Sequence, residues 1–172
     1  MSKTKKENKM LLVMILFLLV IDQVLKFFAL KNNNLILING ILKIGIYQNE
    51  NGNYGVNTNS TIMYVLTNLI IIVVAFKFIT SQNQFVDRKT KVFLSLVIAG
   101  GVSNCIDRIF RGYVVEFIDF TDFIKLPIFN LADIYILIGW ISMVAIFTVF
   151  TANEIKNRKK RKRNDNFENN NC

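Results

Sequence analysis

"MLLVMILFLLVIDQVLKFFAL", residues 10–30, contains three residues that are not apolar: Asp22, Gln23 and Lys26. At a rise of ~1.5 Å per residue, about 20 such residues in a helix cross the ~30 Å hydrocarbon layer of a bilayer. The run is too long for the core of a secretory signal, carries two charges, and precedes no small-residue cleavage site. It therefore reads as a retained span. Residues 62–80, 91–111 and 134–151 form three further runs of this kind, with the second half of 91–111 more polar than the rest. The whole chain agrees: 52% of its 172 residues are hydrophobic, and its mean hydropathy is +0.38. Such a composition points to a membrane domain before a water-soluble core. The expected fold class is an all-α membrane protein with four transmembrane helices.

The charges suggest an orientation. Lys3, Lys5, Lys6 and Lys9 crowd the N-terminus, Arg88, Lys89 and Lys91 the segment before the third span, and Lys156 and residues 158–163 the tail. The other two loops are poor in Lys and Arg, and 112–132 holds Glu116, Asp119 and Asp122 against Lys125. By the positive-inside rule both termini are expected in the cytoplasm and the two longer loops outside it. The net charge of +9 is read as contact with membrane lipids rather than nucleic acid, because the basic clusters flank spans. In the first outer loop, "NLILINGILKIGIY" (34–47) alternates partly around Asn39-Gly40. That pattern predicts a type I′ turn in a small extracytoplasmic β-hairpin or sheet. Residues 1–152 are expected to form the four-helix domain. Residues 153–172, basic and then Asn-rich, are expected to be a disordered cytoplasmic tail.

The chain has no His, and its two cysteines, Cys105 and Cys172, lie in an apolar run and a polar tail. His-based nucleophile systems and zinc motifs are excluded, and neither a disulfide nor a metal site is expected. Chemistry must come from carboxylates, Lys, Arg, Asn or hydroxyls, with no cofactor.

Ionisable groups in spans are costly and need partners or a task. Asp22 and Lys26 lie at i and i+4 on one helix face, either as a self-neutralising pair or as a group that positions substrate. In "AGGVSNCIDRIFRG" (99–112), Asn104 shares a face with Asp107 and with Arg108, and Gly100 and Gly101 permit close approach of a helix or ligand. Asp107 is expected to pair with Arg108 or Arg111 in a helix-holding network. Asn130 reads as an N-cap and Asp133 as a first-turn acid. The expected topology gathers Glu116, Asp119 and Asp133 at one face. Two adjacent carboxylates share a proton, so one can act as base on a water while the other polarises a carbonyl. On an extended chain Asp119 faces away from Glu116.

Taken in order, "DQVLK" (22–26), "GGVSNCIDR" (100–108), "VVEFIDF" (114–120) and "FNLAD" (129–133) resemble the lipoprotein signal peptidase, or signal peptidase II, family. The resemblance implies an aspartic endopeptidase of the bacterial cytoplasmic membrane. Such an enzyme cleaves diacylglyceryl-modified prolipoproteins before the lipid-modified Cys, acts at the outer face, and is blocked by globomycin-type peptides. Its catalytic pair falls on Glu116 and Asp133. Asn104, Asp107, Arg108, Asn130, Asp22 and Lys26 fall on supporting positions.

Two departures mark a divergent member. The family's V-V-D-F aspartate is Glu116 here, and its extra methylene moves the oxygens by about 1.5 Å, one carbon–carbon bond. Glu116 is then a refitted acid, a weakened one, or the sign of a catalytically impaired paralogue that binds lipoprotein precursors or globomycin-like peptides. In the outer loop, "YQNENGNYGV" (47–56) places Asn49 on the family's N-x-G-A-A asparagine if Tyr54 and Gly55 anchor the match. It places Glu50 there if Gly52 does.

Overall fold

The computed structural model describes residues 3–32, 35–50, 61–80 and 86–169. Among these residues are four helices, α1 (Lys3–Lys31), α2 (Thr61–Thr80), α3 (Arg88–Arg111) and α4 (Leu131–Asn169). Each contains a stretch long and apolar enough to cross a membrane: Lys6–Lys31, Ile62–Thr80, Arg88–Arg111 and Leu131–Arg161. Three strands, β1 (Leu35–Ile38), β2 (Leu42–Asn49) and β3 (Val114–Asp119), make one antiparallel sheet in the order β1-β2-β3.

α3 is the centre of the bundle. α1, α2 and α4 all pack on it, and more than half of its apolar stretch is buried, against less than a quarter in the other three. This explains why it tolerates the most polar residues. A span that faces protein can satisfy Ser, Asn and Asp internally, whereas one that faces lipid cannot. The outer helices instead present Phe17, Ile70 and Phe147 at 64%, 65% and 70% exposure, as expected of surfaces solvated by acyl chains.

Small residues set the spacing between α3 and α4. A Cβ built on Gly100 would stand 2.4 Å from the Ala132 carbonyl oxygen, and one on Gly139 would stand 2.5 Å from Val97 Cγ2 and 2.9 Å from the Phe93 carbonyl. The helices therefore touch backbone to side chain at two levels, the contact that small residues provide in membranes. Asp87 caps the start of α3, accepting from Thr90 N at 2.8 Å and Thr90 Oγ1 at 2.6 Å. Gly112, at φ 84°, ends it and bonds back to the Arg108 carbonyl. This left-handed residue turns the chain sharply into β3.

The sheet sits at the end of the bundle where α1 and α3 finish and α4 begins. The expected hairpin is present, but Ile38 pairs with Leu42, so a three-residue connection replaces the two-residue turn. Gly40 still supplies the left-handed residue, at φ 72°. The third strand, β3, comes from the other loop and was not expected. An isolated bridge between Ile118 and Phe129 then holds the start of α4 beside β3. The other difference is at the tail, where α4 runs on as helix to Asn169 instead of stopping near 152. Lys and Arg are good helix formers, so the basic run extends the span's helix.

Gly100→Ala is expected to destabilise the protein by about 1–3 kcal/mol, the usual cost of overpacking, because its methyl meets backbone. Gly101→Ala meets only side chains, Ile72 at 3.4 Å and Asn68 at 3.8 Å, and is expected to cost much less. Thermal unfolding of both variants in detergent checks the order.

Candidate active site

The site is built on a buried ammonium. Lys26, on α1, is fully buried, with its Nζ 2.8 Å from Asp22 Oδ2 and 2.8 Å from Asp107 Oδ2. It also donates to Asn104 Oδ1 at 3.0 Å. An ammonium has three N–H donors, and three acceptors meet them. Asp22 further accepts from Ser103 Oγ at 2.6 Å and from the Ala132 N–H at 2.9 Å. Asp107 accepts from the Val115 N–H at 3.1 Å, from Gln23 Nε2 at 3.1 Å and from Arg111. One network thus ties α1, α3, β3 and the first turn of α4. Of the two expected partners for Asp107, Arg111 takes the role and Arg108 does not.

This network orients the next shell. Lys26 and Asn130 Nδ2 (3.2 Å) both donate to the Asn104 carbonyl oxygen, so the Asn104 amide turns its NH2 to Asp133 Oδ1 at 2.9 Å. Asn130 caps α4 as expected. Its Oδ1 accepts from the Asp133 N–H at 2.9 Å, while its own N–H donates to Asp133 Oδ2 at 3.1 Å. This reciprocal exchange is a capping box with Asp in the third position. Asn130 Nδ2 also reaches the Val115 carbonyl at 3.2 Å, locking α4 to β3. Both Asp133 oxygens are therefore held, and the half-buried carboxylate cannot rotate freely.

Glu116 comes from β3 and is 3% exposed. Its Oε1 accepts from Asn49 Nδ2 at 2.6 Å. A register shift explains the contact. Lys43 pairs with Asp119 and Ile44 with Ile118, but after the shift Tyr47 pairs with Glu116 and Asn49 with Val114. Without the extra residue in β2, Asn49 would share a face with Lys43. With it, Asn49 shares a face with Glu116, since a one-residue change of register reverses alternation. Lys43 stays on the other face, 3.5 Å from Asp119, which also accepts from the Thr121 N–H at 2.8 Å. Asp119 therefore lies outside the site, as the extended geometry requires. Glu50 is exposed, so Asn49 is the loop residue that meets the carboxylate. Residues 51–56 lie outside the described residues.

Burial pushes the Glu116 carboxyl from its ordinary 4.5 up to about 7. The Asn49 hydrogen bond opposes the rise, the Asp133 charge adds to it, and Arg108 and Lys26 oppose it. Two carboxyls thus sense one another beside two cations, in a site where one proton is readily held near neutrality. The Arg108 guanidinium lies over the Tyr64 ring, 5.2 Å from its centroid, and its Nε is buried without a hydrogen-bond partner among the described residues.

The structure thus gathers Asn49, Glu116, Asn104, Asn130, Asp133 and Arg108, with Asp22, Lys26 and Asp107 beneath them. The sequence reading missed Gln23 and Ser103. Their signal was weak, since each is a neutral polar residue beside an ionisable neighbour in a span.

A family model described as signal peptidase (SPase) II matches residues 14–150. A lipoprotein signal peptidase of Clostridium novyi (strain NT) is 30% identical over 142 residues, spanning 78% of this chain and 94% of that one. Among solved structures, a bacterial membrane enzyme determined by the in meso method at 2.3 Å superposes with a TM-score of 0.74 at 27% identity. That match covers 84% of this chain and 91% of the other. A second such structure, at 1.9 Å, gives a TM-score of 0.70, also at 27% identity, over 81% and 92% of the two chains.

The site geometry makes two opposite forecasts for Glu116. Asn49→Leu removes a donor that favours the charged form, so the Glu116 pKa is expected to rise above about 7. Asp133→Asn removes a negative charge and is expected to lower it. Infrared titration of the Glu116 carboxyl band, identified by its loss in Glu116→Gln, reads both directions.

Proposed function

The chain belongs to the signal peptidase II family, and on that premise we propose that it is a membrane aspartic endopeptidase with Glu116 and Asp133 as its catalytic pair. The substrates are diacylglyceryl-modified prolipoproteins, cut just before the lipid-modified Cys. The observation that carries this reading is the pairing itself. A buried Glu116 held by Asn49 shares the sheet end of a four-span bundle with an Asp133 whose oxygens Asn104 and Asn130 fix.

The chemistry follows from the proton. Near neutrality Glu116 holds it and Asp133 is the base. Asp133 takes a proton from a water between the two groups as the water oxygen attacks the scissile carbonyl carbon. Glu116 gives its proton to the carbonyl oxygen, so the tetrahedral intermediate carries two hydroxyls. Asp133 then protonates the amide nitrogen and the C–N bond breaks. A hydroxyl proton returns to Glu116 as the new carboxyl group forms. Arg108 is suited to orient the substrate's backbone carbonyls, and the spans offer the diacylglyceryl chains an apolar face. The sheet end lies at the outer surface of the bacterial cytoplasmic membrane, with both termini inside. Globomycin-type peptides would compete there.

The alternative is a relative that binds precursors without turnover, and its motive is the resemblance, which expects an Asp where this chain has Glu116. The β2 register shift favours the catalytic reading, because it supplies Glu116 with a partner at 2.6 Å. Cleavage of a lipid-modified prolipoprotein by the purified protein decides between them. The catalytic reading expects turnover by the unaltered chain, a loss of at least about 10³-fold in Asp133→Asn and Glu116→Gln, and retained membrane insertion. Turnover by Glu116→Asp alone would assign this chain to the binders. Cleavage by Asp133→Asn would remove the proposed base.

A further inference from the structure

Opposite the sheet, the bundle opens. α2 and α4 pack along separate flanks of α3 and make at most marginal contact with one another. Between them lies a slot of about 580 Å³, lined almost wholly by carbon. Its floor is a stripe of α3, with Thr90, Leu94 and Val97 at i, i+4 and i+7. One wall is Ile70, Val74 and Phe78 of α2, again one helical face, and the other includes Trp140, Met143 and Phe147 of α4. Beside the slot, Gly139 lets α4 close on Val97 and the Phe93 carbonyl. The slot reaches the end of the bundle where α2 finishes and α3 begins, where Phe78, Val86 and Thr90 line it.

That end is basic. Lys77 stands beside Phe78, and Arg88 and Lys89 lie between the slot residues Val86 and Thr90; all three cations are exposed. α4 continues past the slot as helix and carries exposed Arg158, Lys159, Lys160 and Arg161. Of the acids nearby, Asp87 is engaged in capping Thr90 through both its N–H and its hydroxyl, and Glu154 stands on the α4 extension. The walls are branched aliphatic and aromatic side chains. A docked helix would want small residues there, whereas a flexible chain fills such a slot. A carbon-lined groove within the span, whose lining residues Phe78, Val86 and Thr90 are flanked in sequence by exposed cations, matches one ligand: an acyl chain attached to a negatively charged headgroup.

We infer that the slot between α2 and α4 is a binding site for an anionic phospholipid, with one acyl chain on the Leu94–Val97 floor and its phosphate at Lys77, Arg88 and Lys89. The site is separate from the Glu116–Asp133 pair and belongs to the other end of the bundle.

The protein carries its own reporter. It has a single Trp, and Trp140 lines the slot. The full chain is reconstituted in phosphatidylcholine vesicles with graded fractions of acyl-brominated phosphatidylglycerol, or in parallel acyl-brominated phosphatidylcholine, and Trp140 quenching is read. The anionic lipid is expected to quench with at least about fivefold higher apparent affinity, the contribution of one basic side chain at a membrane surface. Substituting all three cations, as Lys77→Gln, Arg88→Gln and Lys89→Gln, is expected to abolish the preference. Val74→Phe, which fills the slot, is expected to remove it as well. Equal quenching by the two lipids would show ordinary annular contact and overturn the proposal. A preference that survives Val74→Phe would show headgroup attraction without a seat for the chain, and would overturn it equally.

Discussion

The Lys26 ammonium constrains everything else at the sheet end. A charge taken out of water costs several kcal/mol unless its donors are met, and here three acceptors from two helices meet all of them. Two carboxylates on that ammonium would be one negative charge too many, and Arg111 on Asp107 restores the balance. The acceptors left over on Asp22 and Asp107 take backbone N–H groups of Ala132 and Val115. In this way the same charges that hold α1 to α3 also set the start of α4 and the entry of β3. Removing one member would leave a buried charge unpaired, typically a loss of about 3–5 kcal/mol.

From that frame the site inherits its orientation. Lys26 fixes which way the Asn104 amide points, Asn104 fixes one oxygen of Asp133, and the Asn130 cap fixes the other. Glu116 is placed by a different device, the irregular register of β2 against β3. That shift is what brings Asn49 onto the Glu116 carboxyl. The burial that raises its pKa would make it the holder of the proton in the proposed pair.

Much of this was legible in the sequence, for physical reasons. The spans were, because length and apolarity alone satisfy a bilayer. The hairpin was, because Asn39-Gly40 demands a left-handed turn. Asn130 and Asp133 were, because capping is local. β3 was not, since "VVEFIDF" mixes apolar residues with one carboxylate on each face, and a short run of that kind has no diagnostic period. The register shift was hidden too, although Gly45 inside a strand is the kind of residue that marks one. Gln23 and Ser103 escaped notice because their partners lie on other helices: Gln23 donates to Ser103 Oγ at 2.8 Å, some 80 residues away. The helical extension of α4 was not legible, because Lys and Arg suit a solvated helix as well as a disordered tail.

The central claim is that Glu116 holds the proton that a working carboxylate pair must share. The pH–rate profile for cleavage of a lipid-modified prolipoprotein, followed from about pH 5 to about pH 9, tests it most directly. If Glu116 must be protonated, the rate falls as pH rises through about 7, with a slope of about one proton. A rate that stays flat or climbs across that range would show that the protonated acid is another group, and the pair as described would not be the catalyst.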